Sequence, residues 1–334
     1  MAYDQEIGIL PSKAAVPVAL APLSGVSDVN FRRIARRWGA NSVVTEMVAA
    51  HEYVRGSEEA QLRAEASGLA PHVVQLVGRE PGSMAEGARL AEASGADVID
   101  INMGCPAKKV TGGLCGSALM RESGLAVSIV TAVVRAVRLP VTLKMRLGWD
   151  DATMNAAELA RRASEVGVQA VTIHGRTRQQ FYTGTADWNA IGHVVNAIDL
   201  PVTANGDIVS PETARACLAQ SGAAGLMVGR AAVGRPWLVG SIAAALKDTP
   251  WASPNPNERA AIAMEHYEGL IALYGERMGT RHARKHLAAY ADRAREDGFL
   301  VRDAERLELV TADEPGRVLR LLSTLYAEPQ QEAA

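Results

Sequence analysis

The sequence predicts an α/β chain: a (β/α)₈ TIM-type barrel followed by a small C-terminal helical domain. Three observations carry this. Short apolar, β-branched runs alternate with helical patterns eight times over about 230 residues, close to the ~250 typical of such barrels. Six successive strands finish in a hydrogen-bonding side chain where the apolar pattern would otherwise continue. After Pro250 the strand signals stop.

Val18 to Ala21 reads as the first strand and Asn30 to Trp38 as its helix. Ser42 to Thr45 is the second strand, with a helical stretch around Ser57 to Ala66. Val73 to Val77 is the third. Pro81 to Ser94 follows as a helix whose proline lies in the first turn, where the missing N–H costs nothing. Val98 to Ile101 is the fourth strand; it stops at the turn formers Asn102, Gly104 and Pro106, and Ser123 to Ala136 is its helix. Val141 to Lys144, Ala170 to Ile173 and Val202 to Ala204 are the fifth to seventh strands. Their helices are Asn155 to Val166, Trp188 to Ala197 and Pro211 to Gln220. Gly225 to Val228 is the eighth strand. Strands alternating with helices imply parallel pairing. Pro250, Pro254 and Pro256 then punctuate a polar linker, and Glu258 to Tyr274, Thr280 to Arg295 and Pro315 to Tyr326 read as helices. The chain thus divides into a barrel over 1–245 and a helical domain over 258–330, with a frayed tail after Ala327.

The 334 residues suffice for one large and one small core, and 48% apolar residues indicate a globular chain. Three cysteines argue against a disulfide framework and for a reducing, cytoplasmic setting. Met1 to Lys13 carries Asp4 and Glu6 and has no basic leader region, and no 18-residue apolar run is present, so neither a signal peptide nor a membrane span is expected. The net charge of −2 predicts no polyanion partner globally. Locally, Arg32, Arg33, Arg36 and Arg37 crowd one helix, and Arg277 to Arg295 holds six basic residues against Asp292. Such clusters are solvated faces or nucleic-acid footprints.

The strand-end polar residues are Glu46, Gln75, Asn102, Lys144, His174 and Asn205. In a barrel these ends converge on the mouth where active sites of this fold lie. Cys105 sits just past the fourth strand beside Lys108 and Lys109, and nearby lysines favour a reactive thiolate; the plain alternative is a small turn residue. After strands seven and eight come Asn205-Gly206-Asp207 and Gly229-Arg230, positions that commonly hold a phosphate in barrels. Thr142, Lys144 and Arg146 share one strand face, and an inward lysine needs an anionic partner. A flavin would supply one; a Schiff-base lysine is the rival reading. Metal sites look weak: His282 and His286 are spaced i,i+4, but Ala283 stands where a zincin has glutamate, and no third ligand is evident.

Ala21-Pro22-Leu23-Ser24-Gly25-Val26, Thr45-Glu46-Met47, Asn102-Met103-Gly104-Cys105-Pro106 and Lys144-Met145-Arg146 resemble the tRNA-dihydrouridine synthases, most closely the bacterial B-type subfamily. So do His174-Gly175-Arg176-Thr177-Arg178, Ala204-Asn205-Gly206-Asp207, Gly229-Arg230-Ala231 and, in the helical tail, Ala283-Arg284-Lys285-His286. Leu23 replaces the methionine many members carry there. The resemblance implies FMN as cofactor, NADPH as electron donor and a D-loop uridine of tRNA as substrate, with no obligate protein partner. It implies flavin contacts from Pro22, Gln75, Lys144, His174, Asn205, Gly206, Asp207, Gly229 and Arg230. Asn102 is similar to the residue that orients the uracil, and Arg176 and Arg178 would meet substrate or flavin phosphate. Cys105 would donate a proton to uracil C5 after hydride adds at C6, and Arg281, Arg284 and Lys285 would meet the RNA backbone. Two alternatives stay open: an FMN reductase of free pyrimidines, which has little use for a basic tail, and a non-catalytic RNA-binding barrel.

Overall fold

β-Branched and other apolar residues build nine short strands, and every pairing between them is parallel. The computed structural model describes residues 16–66 and 68–327; Met1 to Lys13 and the tail after Ala327 lie outside them. The strands are β1 (Val18–Leu20), β2 (Ser42–Val43), β3 (Val48–Ala49), β4 (Val73–Val77), β5 (Val98–Met103), β6 (Val141–Arg146), β7 (Ala170–His174), β8 (Val202–Asn205) and β9 (Gly225–Val228). They run β2-β1-β9-β8-β7-β6-β5-β4-β3 around one sheet. The ends meet: Val44 bridges Val73, and the Thr45 N–H donates to the Val73 carbonyl at 3.1 Å. β2 and β3 are therefore two pieces of one stave, interrupted at Thr45-Glu46-Met47, and the ring closes as an eight-stave barrel.

The period-2 alternation of strands separates two apolar layers. Ala19, Val44, Val73, Val98 and Met227 form a small cluster on the inward parity. Leu20, Leu76, Ile101, Leu143 and Ile173 take the opposite parity and join the larger core under the helices. Burying one such Leu or Ile contributes roughly 1.5–3 kcal/mol, so this outer layer holds the barrel together. β5 and β6 run two residues past their apolar stretches. The ladder pairs Asn102 with Lys144 and Met103 with Met145, since backbone pairing does not require an apolar side chain.

Four short helices fall outside the expected pattern: Ala50–Val54, Lys108–Gly112, Leu238–Leu246 and Asp303–Thr311. The expected helices Glu258–Tyr274 and Thr280–Arg295 form as two arms of the span Pro256–Glu296, separated by a kink at Gly275 (φ 74°, ψ 163°). His266 and His286 would lie ~30 Å apart on a straight helix, yet their ring centroids are 4.5 Å apart. The chain folds back on itself at Gly275, a left-handed position that favours glycine. The two arms bury Tyr267, Leu270, Leu287 and Tyr290 with Val318 and Leu322 in a second cluster, which Ile34 and Trp237 of the barrel join.

The arginines of the first barrel helix, Val29–Arg37, are neither a solvated face nor an RNA footprint as a group. Arg32 is buried and donates to the Ser27 carbonyl. Arg36 donates to the Ala40 carbonyl, and Arg37 pairs in fork fashion with Glu265 of the C-terminal helices. The Arg37–Glu265 pair ties the barrel to the C-terminal helices.

The backbone of Leu238–Leu246 rests on the end of the first helix at Gly240, where an added Cβ would lie 1.8 Å from the Trp38 carbonyl oxygen. Gly240→Ala should destabilise by about 3 kcal/mol or more, since the clash is with backbone. Gly124, with nothing within 4 Å of its Cβ position, lies in the helix Ser123–Ala136. Gly124→Ala should be neutral or stabilise by up to about 1 kcal/mol. Thermal and urea unfolding of the two variants beside wild type measure both; equal effects would contradict the packing described.

Candidate active site

Inward polar side chains above the apolar plug form two hydrogen-bonded groups, one around Asp100 and one around Lys144. Asp100 of β5 accepts from Gln75 Nε2 and from Thr142 Oγ1, both at 2.6 Å. Asn102 Nδ2 donates to Gln75 Oε1 at 2.7 Å. Lys144 Nζ donates to Asn205 Oδ1 at 3.1 Å, and Asn205 Nδ2 donates to the Met227 carbonyl at 2.7 Å. Five staves are thereby linked. Asp100 also supplies, inside the protein, part of the negative charge that Lys144 needs. Burial and the neighbouring Arg146 still outweigh it and lower the Lys144 ammonium to about 8. Burial, reinforced by Lys144, Arg146, Arg176 and Arg230, keeps His174 neutral.

Asn102 shapes the turn that carries Cys105. Its Oδ1 accepts from the Gly104 and Cys105 N–H groups at 3.1 and 3.0 Å. The Cys105 carbonyl accepts from the Ser117 N–H and hydroxyl at 3.1 and 2.9 Å. Gly116 (φ 58°) packs so closely that a Cβ would lie 2.8 Å from that carbonyl oxygen. Burial raises the Cys105 thiol, and the Ala107 N–H, Arg146 and Lys144 offset this only in part. The expectation of a lysine-stabilised thiolate is thus reversed: Lys108 and Lys109 are exposed, and the thiol is held protonated near neutral pH.

These groups open into a cavity of about 670 Å³ at the C-terminal ends of the staves. Its wall includes Pro22, Gln75, Asn102, Cys105, Lys144, His174, Asn205, Gly206, Asp207, Gly229 and Arg230. All the residues expected for catalysis and cofactor contact therefore share one cavity. Gly206 (φ 119°) is required by the protein itself, because a Cβ there would lie 2.7 Å from Ala186 and 3.0 Å from the His174 ring. Gly229 has room: its Cβ would make only ordinary 3.8 Å contacts with Ala21 and Leu23.

Five other residues lie elsewhere. Arg176 is 2% exposed and sits behind the wall, donating to the Thr183 and Gly184 carbonyls and to Asp207 at 2.6 Å. Arg178 lies over the Trp149 ring at 4.8 Å, with Arg121 at 4.0 Å on the same ring. Neither arginine lines the cavity: Arg176 meets His174 and Asp207 from behind the wall, and Arg178 turns to the loop after β6. Arg281, Arg284 and Lys285 are exposed on the second arm of Pro256–Glu296. Arg284 pairs with Asp313 at 2.9 Å, and the Lys285 ammonium lies against Gly25.

The cavity adds Arg146, Phe181, Tyr182 and, from the C-terminal helices, Arg293. The Tyr182 ring lies between the guanidiniums of Arg230 (4.7 Å) and Arg146 (5.5 Å). Strand parity already set Arg146 on the face of Lys144. An adjacent aromatic pair in a loop of a chain only 4% aromatic was the available signal for Phe181 and Tyr182. Arg293 belongs to the basic stretch Arg277 to Arg295, but nothing in the sequence marked it as a wall of this cavity.

Burial alone would raise the Asp207 carboxyl, but hydrogen bonds from Arg176 and the Ala186 N–H, with the charges of Arg176 and Arg230, hold it below its ordinary value. A lowered carboxyl stabilises the fold above the unfolded pKa of ~3.9 and loses that contribution as pH falls through its folded value. Asp207→Asn should cost about 2 kcal/mol at pH 7, leaving the buried Arg176 without its anion. In a pH series of unfolding curves the gap to wild type should close below pH ~4; a gap independent of pH would show that the pair contributes no charge effect.

A dihydrouridine synthase family profile (Dus) matches residues 19–320. A probable tRNA-dihydrouridine synthase of Rhodobacter capsulatus is 50% identical over 322 residues, covering 95% of this chain and 96% of the relative. The tRNA-dihydrouridine synthase B of Pseudomonas putida is 46% identical over 273 residues, 81% of each chain. Among solved structures, a 2-naphthoyl-CoA reductase complex superposes with a TM-score of 0.53 at 12% identity, over 72% of this chain and 50% of the other. Histamine dehydrogenase from Rhizobium gives 0.52 at 13%, over 78% and 50%. The last two establish likeness of fold alone. The profile and the near full-length relatives settle the lineage of the Cys105 cavity: this chain belongs to the dihydrouridine synthase family.

Proposed function

We propose that this chain reduces a D-loop uridine of tRNA to 5,6-dihydrouridine, with FMN as cofactor and NADPH as electron source. The observation that carries the reading is a protonated Cys105 thiol on the same cavity wall as a buried lysine. The family membership supports it.

The residues present fit the cofactor. The cavity volume lies within the ~300–1,000 Å³ of organic-ligand sites. Lys144 has three donors and gives one to Asn205, so it retains capacity for an anionic ring edge. Gln75, His174, Asn205 and Pro22 would complete the hold on the ring system. At the other end Gly206, Asp207, Gly229 and Arg230 offer backbone N–H groups and a guanidinium to a phosphate. Bound FMN, reduced by NADPH, would supply the hydride for C6 of the uracil. Cys105 would then give its proton to C5 as a general acid, where negative charge shared with the C4 oxygen would build. Asn102 fixes the turn that aims the thiol, and its remaining amide hydrogen is left to meet the base. Residues 1–245 form the catalytic unit, and the helices over 258–330 carry the RNA. Arg281 and Arg284 expose charge to backbone phosphates, which offsets the few kcal/mol of unstacking the target base.

Cys105→Ala should keep FMN, accept electrons from NADPH normally and bind tRNA about as well, yet lose dihydrouridine formation by ~10²–10⁴-fold. Anaerobic mixing of pre-reduced enzyme with unmodified tRNA reads this directly. Wild-type reoxidation with product formed in the variant would remove the thiol from the mechanism. A colourless wild-type protein that binds no FMN would remove the cofactor.

Neutralising Arg281, Arg284 and Lys285 together should weaken tRNA binding across all sequences. It should also flatten the dependence of log K on log salt, by up to about 0.9 for each phosphate no longer neutralised. An unchanged slope would make these residues a solvated face only.

A further inference from the structure

The two arms of Pro256–Glu296 and the start of the first barrel helix bring three ionisable side chains together outside the flavin-sized cavity. Asp28 precedes Val29–Arg37, His266 lies on the first arm and His286 on the second. The i,i+4 pair of the sequence is not the site. His282 stacks on Tyr274 at 4.5 Å, while His286 turns inward to His266, with ring centroids 4.5 Å apart. The fold supplies from distant segments the further ligands that the local spacing lacked.

We propose that Asp28, His266 and His286 bind one divalent transition-metal ion of the zinc class, clamping the C-terminal helices onto the barrel. A carboxylate and two imidazoles are a donor set zinc takes, leaving a fourth position for water. Asp28 Oδ2 lies 3.2 Å from His266 Nε2 and 4.0 Å from His286 Nε2, and one donor atom from each residue falls within 4.8 Å of the others. Tetrahedral zinc with bonds of ~2.0–2.1 Å sets its ligand atoms about 3.3 Å apart. Of the three edges, one already matches, the second closes with a shift of about 0.7 Å in a side chain, and the third, between the imidazoles, lies within the 4.8 Å limit and closes with the same movement of His286.

The surroundings suit a cation better than a closed hydrogen-bond chain. Asp28, His266 and His286 are 6, 0 and 2% exposed. Among the described residues, neither ring nitrogen of His286 has a hydrogen-bond partner, although buried polar groups are nearly always satisfied. A metal bond answers for Nε2. His266 Nδ1 faces the Tyr290 hydroxyl at 3.1 Å, the outer partner that orients a ligating imidazole. Asp28 Oδ1 accepts from the Asn30 and Phe31 N–H groups, so the carboxylate is fixed while Oδ2 points at the histidines.

The test uses untagged full-length protein, with metal content by mass spectrometry and Co²⁺ as a spectroscopic probe. Wild type and His282→Ala, incubated with Zn²⁺ and desalted, should carry about one equivalent, and His286→Gln and His266→Gln less than about a tenth. After chelation, Co²⁺ should give wild type and His282→Ala the visible absorption of low-symmetry four-coordinate cobalt, absent from His286→Gln. Should the histidine variants fail to fold, the wild-type cobalt spectrum decides alone. Wild type that retains no zinc and gives only the spectrum of aqueous cobalt would overturn the site, as would a folded His286→Gln that holds as much metal as wild type.

Discussion

A lysine buried at the top of a barrel is tolerable only when its charge is answered, and much of the interior is arranged around that requirement. Asp100 sits one layer below Lys144 on the neighbouring stave and is itself kept in place by Gln75 and Thr142. Asn205 takes one ammonium hydrogen and hands its own amide to the backbone of β9. Removing a member of either group would leave another buried polar group unpaired. The compensation is incomplete, as the ammonium at about 8 shows. An anion arriving in the cavity therefore meets a lysine with attraction to spare.

The same burial acts in opposite senses on neighbouring groups. It disfavours charge on Lys144 and His174, which are cationic acids, and it also disfavours charge on Cys105, which becomes anionic when it loses its proton. One low-dielectric wall thus yields a neutral imidazole and a thiol that keeps its proton. Such a set suits delivering a proton better than launching a nucleophile.

Much of this was legible in the sequence, and what was not has identifiable causes. Polar residues ending apolar runs marked the mouth, because eight staves must converge there and parity fixes which way each side chain points. Asp100 was missed because it lies mid-run between Ile99 and Ile101, where no strand-end signal applies. Arg176 and Arg178 belong to the expected motif, but a motif names residues without their directions, and neither side chain lines the cavity. Leu238–Leu246 is apolar on nearly every side and so shows no stripe to read. His266 and His286 stand twenty residues apart, on the two helices read over Glu258 to Tyr274 and Thr280 to Arg295. Only the φ of Gly275 brings them together, and hydrophobic periodicity does not report a single backbone angle.

Arg293 comes from the second arm of the C-terminal helices, yet it forms part of the cavity wall. A chain emerging from the ribosome completes all eight staves well before that residue appears, and domains generally fold as they are made. The barrel can thus be assembled while its mouth still lacks one side. The pocket acquires its finished outline only when synthesis has passed residue 293 and the helices around it have docked, so a product terminated before that point would carry an open, unfinished mouth.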